Sequence, residues 1–240
     1  MRIEKGSPLY QQLSELLAKR PGLKPTNTRY IHRYLEMKQI DWNLWHDFSG
    51  IALDVGCHIP LDALILSKMK GIRRIYLVDL RPIPSTLLPD KTTFVQCDAT
   101  RLAFPDNSFD VVTSFSAIEH LPDRALQRAW VREMVRVTKP GGKMLITVDN
   151  AWSWLNRIWD RYRPPMRRLS PIELKRWVME TKEMEIEATT GGAIYYWGFR
   201  PRFRGSAQIA YLFDRVLNPL SRLLPWFGNR IGYRFIKKVV

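Results

Sequence analysis

Long apolar runs are missing from this sequence, and so is any pattern of cysteines. No apolar stretch among the 240 residues approaches the ~18 residues of a membrane-spanning helix. The first twenty residues, MRIEKGSPLYQQLSELLAKR, carry charges throughout and have no apolar signal core, which argues against export. Only two cysteines occur, Cys57 and Cys97, too few for a disulfide framework and without the paired spacing of a zinc site. Both are expected to be reduced, mostly buried thiols of a cytoplasmic protein, and no His/Cys/carboxylate cluster suggests a metal. There is no internal repeat and no low-complexity tail, so repeat architectures are set aside.

Acidic residues are also scarce. Asp plus Glu number 23 against 38 Lys plus Arg, a net charge of +15. The imbalance is uneven, because residues 151–240 hold 17 of the 38 basic residues and 7 of the 23 acidic ones. The same part carries Trp152, Trp154, Trp159, Trp177, Trp197 and Trp226, six of the nine tryptophans. A basic surface with interleaved aromatics suits nucleic acid, an anionic lipid surface or an acidic substrate. A basic protein without any such partner shows the same balance, since net charge bears on solubility and non-specific binding first.

The remaining composition, 45% hydrophobic and 25% charged, is ordinary for a globular chain of one large domain. Residues 7–37 read as two helical segments divided by Arg20-Pro21-Gly22, the first with Leu9, Leu13, Leu16 and Leu17 at helical spacing. From residue 51 the grammar becomes strand, helix, strand. IALDV precedes a helix in PLDALILSKMK, with Leu61, Leu64, Ile65 and Met69 on one face. RRIYLVDL, TTFVQCD and SFDVVTSFSA follow as strands. DRALQRAWVREMVRVTKPGG reads as a helix with Leu126, Trp130, Met134 and Val135 inward, ending in the stop signal Lys139-Pro140-Gly141-Gly142. KMLITVDN is the next strand. SPIELKRWVME reads as a helix capped by Ser170, and EMEIEATTG and GYRFIKKVV as two final strands.

This alternation predicts an α/β fold, a doubly wound Rossmann-like sheet of seven mostly parallel strands with helices on both faces. Ligands of such sheets bind beyond the carboxyl ends of the strands, where strand order reverses. Gly56, Asp79, Asp98 and Ser114 each close one of the apolar runs and should therefore converge. The organisation expected is one domain in three parts: a helical cap at 1–49, a cofactor-binding half at 50–150, and a basic, Trp-rich acceptor or lid region at 151–240.

The stretches LDVGC, YLVDL, QCDATRLAFPDNSFDVVTS, AIEHLPD and VTKPGGKMLITV lie in order over about residues 50–150. Together they resemble the class I S-adenosylmethionine-dependent methyltransferases, in particular the group acting on small molecules and lipids. The resemblance implies S-adenosyl-L-methionine as cofactor, held by Asp54, Gly56, Cys57, His58, Asp79, Leu80, Asp98, Ala99, Ser114 and Phe115. Asp79 would accept hydrogen bonds from the ribose hydroxyls, and Asp98, with the Ala99 backbone beside it, would accept one from the adenine amine. Ser114 and Phe115 would line the methionine side, and Gly56 would let backbone approach the cofactor. Taken singly, an acid at a strand end is more often a cap or a solvated turn. Asp62 is read that way, as a first-turn helix acid, and Asp110 as an anchor for the start of its strand.

One departure matters. The family's turn usually reads acid-x-Gly-x-Gly-x-Gly, and here the last two glycines are His58 and Pro60. Three outcomes are open: a shifted loop that still binds, weaker binding, or a closed site. Survival of Asp54, Gly56, Asp79 and Asp98 favours retained binding, whereas a non-catalytic methyltransferase-like module would rest on His58 and Pro60. Methyl transfer from a sulfonium needs alignment and a dry site, no metal, and a base only if the acceptor must lose a proton. His120 in AIEHLPD is the candidate base, though it would serve equally as a polar partner for the next helix. Glu119 and His58 are secondary candidates.

The acceptor is expected to be a small or lipid-like molecule. The stripe of Ile209, Leu212, Phe213, Val216, Leu220, Leu223 and Leu224 with Arg215 and Arg222 would lie on an anionic membrane or close the site as a lid. The alternative acceptor is RNA, tracked by Arg157, Arg161, Arg163, Arg167, Arg168, Arg200, Arg202 and Arg204. SFSA stands where amino-methylating enzymes of DNA and protein glutamine carry Asn/Asp-Pro-Pro-Tyr/Phe, which argues against that chemistry. Cysteine-dependent cytosine methylation is equally unexpected, since no Cys follows this strand or the next.

Overall fold

The computed structural model describes residues 6–19, 43–153, 156–157, 167–192 and 228–239. Seven strands form one sheet: β1 (Gly50–Val55), β2 (Ile72–Asp79), β3 (Thr92–Gln96), β4 (Phe109–Phe115), β5 (Thr138–Asp149), β6 (Met184–Gly192) and β7 (Arg230–Lys237). Their order is β3-β2-β1-β4-β5-β7-β6. Strands β1 to β5 run parallel, and β7 is antiparallel to both of its neighbours, β5 and β6. Strand order reverses between β1 and β4. The loops after those two strands therefore leave in opposite directions and open a crevice at their carboxyl ends.

Helices cover both faces. On one face, α1 (Pro8–Ala18) and α2 (Leu61–Ser67) enclose a core with Ala52, Ile75, Leu77, Val111 and Leu145. On the other, α3 (Arg124–Val137) and α4 (Pro171–Met179) cover Leu53, Val78, Val112, Met144 and Phe235. The period-two alternation of the strands sends successive side chains into these two cores. α1 starts where Ser7 accepts the Tyr10 N–H and buries Leu13, Leu16 and Leu17. Each such side chain contributes about 1.5–3 kcal/mol of hydrophobic stabilisation. α3 is capped by Asp123, which accepts the Leu126 N–H at 2.8 Å. α4 opens with a reciprocal Ser170–Glu173 capping box, as the sequence suggested for Ser170.

Two expectations need correction. α2 ends at Ser67 and is buried on every side, so Met69 lies outside it and its surface is not a stripe. The helix ends at Val137, so Lys139-Pro140-Gly141-Gly142 belongs to β5 and not to the end of the helix. α3 passes at Thr138 directly into β5, Thr138 pairs with Phe109, and Lys143 pairs with Val111. Four residues thus stand opposite the single Asp110 as a bulge, with Gly141 at φ 74°. Asp110 pins it, accepting from Lys139 Nζ at 2.9 Å and from the Ile51 N–H at 2.7 Å. That anchoring role is the one expected for Asp110.

The second N-terminal helix, the 206–226 stripe and most of 151–169 lie outside the described residues. Among the described residues, no helix is long and apolar enough to cross a membrane.

Candidate functional site

The loop after β1 leans on β2. The N–H groups of Gly56 and Cys57 both reach the Val78 carbonyl, at 2.8 and 3.1 Å, and the His58 N–H reaches Asp79 Oδ2 at 2.9 Å. All three N–H groups are thus engaged within the fold. Gly56 has φ 76° and His58 φ 42°, both in the left-handed region. His58 therefore adopts a backbone conformation that glycine takes readily, while its side chain is exposed. Pro60 sits at the N-cap position, before α2 and not inside its first turn.

Gly56 proves necessary for a reason other than ligand approach. A Cβ there would meet Ala117 Cβ at 2.6 Å and the Trp130 ring at 2.9 Å. The loop after β1 is thereby packed on the turn after β4 and on α3.

The acids occupy distinct settings. Asp54 is buried and accepts from Thr113 Oγ1 at 3.1 Å, tying the ends of β1 and β4 together. Asp79 takes one backbone N–H on each oxygen, from His58 and from Arg81, and stays at the surface with lone pairs to spare. Leu80, beside it, is 61% exposed, an apolar side chain offered to whatever lies over the sheet edge. Gln96 Nε2 holds the Leu80 carbonyl at 2.8 Å from the next strand. Asp98 is exposed, with Oδ1 accepting the N–H and hydroxyl of Thr100, and Ala99 is buried beside it. Cys57 is a buried thiol whose pKa is pushed well up by burial and by Asp54 and Asp79, so it contributes packing and no nucleophile.

Ser114 and Phe115 do not point the same way. Phe115 stacks against Trp45 at 5.2 Å in the α1/α2 core, on the face of Asp54 and Thr113. Ser114, next along the strand, turns to the α3 side, and its buried Oγ has no hydrogen-bond partner among the described residues. The sequence anticipated both at one wall, and strand alternation divides them.

A family model described as "Methyltransferase domain" matches residues 53–146, which contain the loop after β1, Asp79, Asp98 and the end of β4. Over residues 53–146 the chain is similar to that domain. The fold is similar to that of solved methyltransferase structures. One is the N-methyltransferase NodS from Bradyrhizobium japonicum in complex with S-adenosyl-L-homocysteine (TM-score 0.57, 12% identity, covering 96% of this chain and 99% of that one). Among curated relatives, the 2-methyl-6-phytyl-1,4-hydroquinone methyltransferase of Synechocystis is 39% identical over 99 residues, covering 39% of this chain and 30% of that protein. The ubiquinone/menaquinone biosynthesis C-methyltransferase UbiE of Cellvibrio japonicus is 33% identical over 130 residues, covering 54% and 48%. The chain thus spans less than half the length of either relative.

Within the matched residues the turn after β4 holds the two remaining candidates. His120 ends a single 3-10 turn, Ile118–His120, and is exposed. The helix that follows is capped by Asp123, so His120 is not its cap. Glu119 is entirely buried. One of its oxygens accepts the Asp149 N–H at 3.2 Å, the other has no hydrogen-bond partner among the described residues, and burial with the nearby Asp149 charge pushes its pKa up to about 8. Sequence gave Glu119 a minor place, because burial is invisible in AIEHLPD.

Of the arginines considered for RNA, Arg157, Arg167 and Arg168 are described. Arg168 is buried beside Asp149, Nε to Oδ2 3.8 Å, and cannot present itself to a phosphate. Among the described residues no group of His, Cys, Asp and Glu could hold a metal ion.

Proposed function

We propose that this protein transfers a methyl group from S-adenosyl-L-methionine to a small-molecule or lipid-like acceptor. The observation that carries the reading is the convergence at one sheet edge of Asp79, Leu80, Asp98 and Ala99 with the Gly56 loop and the end of β4. The residues fit the cofactor. Asp79 retains acceptor capacity at the surface for two ribose hydroxyls, Leu80 offers an unburied apolar contact for the base, and Asp98 has a second oxygen for an exocyclic amine. Ser114 Oγ is a buried polar atom still wanting a partner at the neighbouring strand end. When bound, the cofactor supplies an electrophilic sulfonium methyl with a good leaving group.

The chain's own residues then have three tasks. Asp79 and Asp98 fix the nucleoside end, and the Gly56–Ala117–Trp130 packing fixes the floor of the crevice. Phe115 and Trp45 keep water from the strand ends. His120, exposed in the turn that borders this crevice, takes the proton that a hydroxyl acceptor must release. The lipid-like acceptor is supported by the relatives, whose names carry hydroquinone and quinone chemistry. A cytoplasmic location, with contact to an anionic membrane through the basic C-terminal part, accords with the charge of residues 151–240.

Calorimetric titration with S-adenosylmethionine and S-adenosylhomocysteine tests the reading on the wild type and Asp79→Ala. Micromolar binding that largely disappears in the variant is expected. No binding by the wild type at millimolar ligand would overturn it, and binding without turnover on any quinol acceptor would favour the non-catalytic module.

A further inference from the structure

The segment from Asp98 to Ser108 has no helix or strand of its own until β4 begins, yet it is fastened at many points. Two side chains on the last turns of α3 do the fastening. Glu133 Oε2 accepts the Leu102 N–H at 2.7 Å, and Arg136 Nη2 donates to the Leu102 carbonyl at 3.1 Å. The other arm of Arg136 donates to the Phe104 carbonyl at 2.8 Å and to Asp106 Oδ1 at 2.7 Å. The two side chains also hold each other, with Arg136 Nε to Glu133 Oε1 at 2.8 Å and Nη2 to Oε2 at 2.7 Å. Arg136's own carbonyl receives the Asn107 N–H at 3.0 Å. Phe104, between the fastened points, packs edge-on against Phe109 at 4.9 Å and Tyr76 at 5.6 Å.

The fastening begins where the Asp98 turn ends. Asp98 Oδ1 takes the N–H and hydroxyl of Thr100, its carbonyl takes the Arg101 N–H at 3.0 Å, and the next residue is Leu102, whose N–H and C=O are both engaged by the pair. Ala99 and Leu102 are buried on either side of the turn. The turn is short and stiff, so the place of Leu102 determines the direction in which Asp98 Oδ2 faces. A planar guanidinium reaches two carbonyls and two carboxylates at once; an ammonium on a flexible stem does not.

We infer that Glu133 and Arg136 are positioning residues that set the adenine-reading geometry of Asp98 and Ala99 from the far side of the loop, and so govern selectivity for the 6-amino group of the cofactor. The inference rests on the cofactor reading above. Neither residue needs to touch the ligand.

The test compares S-adenosylhomocysteine with its S-inosyl analogue, in which the 6-amino donor is replaced by an oxo acceptor facing Asp98. Binding of each is measured by calorimetry on the wild type, Arg136→Lys, Arg136→Gln, Glu133→Gln and Asp110→Asn, with melting temperatures in parallel. Wild type should prefer the adenosyl form by about 100-fold. Arg136→Lys and Arg136→Gln should lose about tenfold in adenosyl affinity and about tenfold in that preference. Glu133→Gln, whose amide oxygen still accepts the Leu102 N–H, should stay within about threefold. Asp110→Asn loosens the opposite end of the sheet and should lower the melting temperature while keeping the preference. If Arg136→Gln fails to fold, Arg136→Lys decides. An unchanged preference in a folded Arg136 variant overturns the inference alone, and a wild type that binds neither ligand overturns the cofactor reading and this inference with it.

Discussion

The carboxylate of Asp79, at the end of β2, accepts the backbone N–H of His58, 21 residues earlier, at 2.9 Å. The residue proposed to hold the cofactor's ribose thus also holds the loop after β1. The two roles separate in Asp79→Asn, whose amide oxygen still takes one backbone donor. Asp79→Asn should stay within about 0.5 kcal/mol of wild-type stability in urea unfolding while losing about tenfold or more in S-adenosylhomocysteine affinity. Asp79→Ala should lose affinity further, together with about 1 kcal/mol of stability.

His58 occupies a left-handed conformation, φ 42°, in which a side chain costs energy and glycine does not. His58→Gly should raise stability by about 1 kcal/mol, less the entropy glycine adds to the unfolded chain, and leave cofactor binding intact or improved. Urea midpoints of His58→Gly and His58→Ala check it. A glycine variant less stable than the alanine one contradicts the backbone reading.

Gly56→Ala introduces a Cβ within 2.6 Å of Ala117 Cβ and 2.9 Å of the Trp130 ring, at φ 76°. Overpacking and backbone strain together should cost about 3 kcal/mol. The double variant Gly56→Ala/Trp130→Leu relieves one of the two clashes. It should recover part of the loss, which a double-mutant cycle on thermal unfolding reads directly.

Glu119 has its pKa raised to about 8, first by burial and then by Asp149, from an ordinary value of 4.5. Between those values the folded protein keeps a proton that the unfolded chain has released. Stability should therefore fall as pH rises from about 4.5 to about 8 and level off above it. Glu119→Gln removes that slope. Unfolding free energies at about pH 5, 6.5 and 8 test this, and a wild-type curve no steeper than the variant's contradicts it.

Much of this molecule was legible in its sequence, because its signals are local. Apolar runs ending in Asp54, Asp79 and Ser114 marked strands and their carboxyl ends, and Ser170 marked a helix start. Signals that depend on packing across the sheet were not legible. The Lys139–Gly142 run has every mark of a helix stop, yet its tie to Asp110 draws it into β5 as a bulge. Ser114 and Phe115 are neighbours in sequence and opposites in space. Arg136 and Glu133 could have been noticed as an i,i+3 pair, but nothing local says that their partners are the carbonyl and amide of Leu102.

The strand order has a consequence for how the molecule is made. β7 is the last of the described strands in sequence and yet lies inside the sheet, and among the described strands β6 pairs with β7 alone. On the ribosome, β6 emerges before its native neighbour and must wait for residues 230–237. A nascent or truncated chain that stops before Arg230 therefore lacks two strands instead of one, and it leaves the edge of β5 open to other chains.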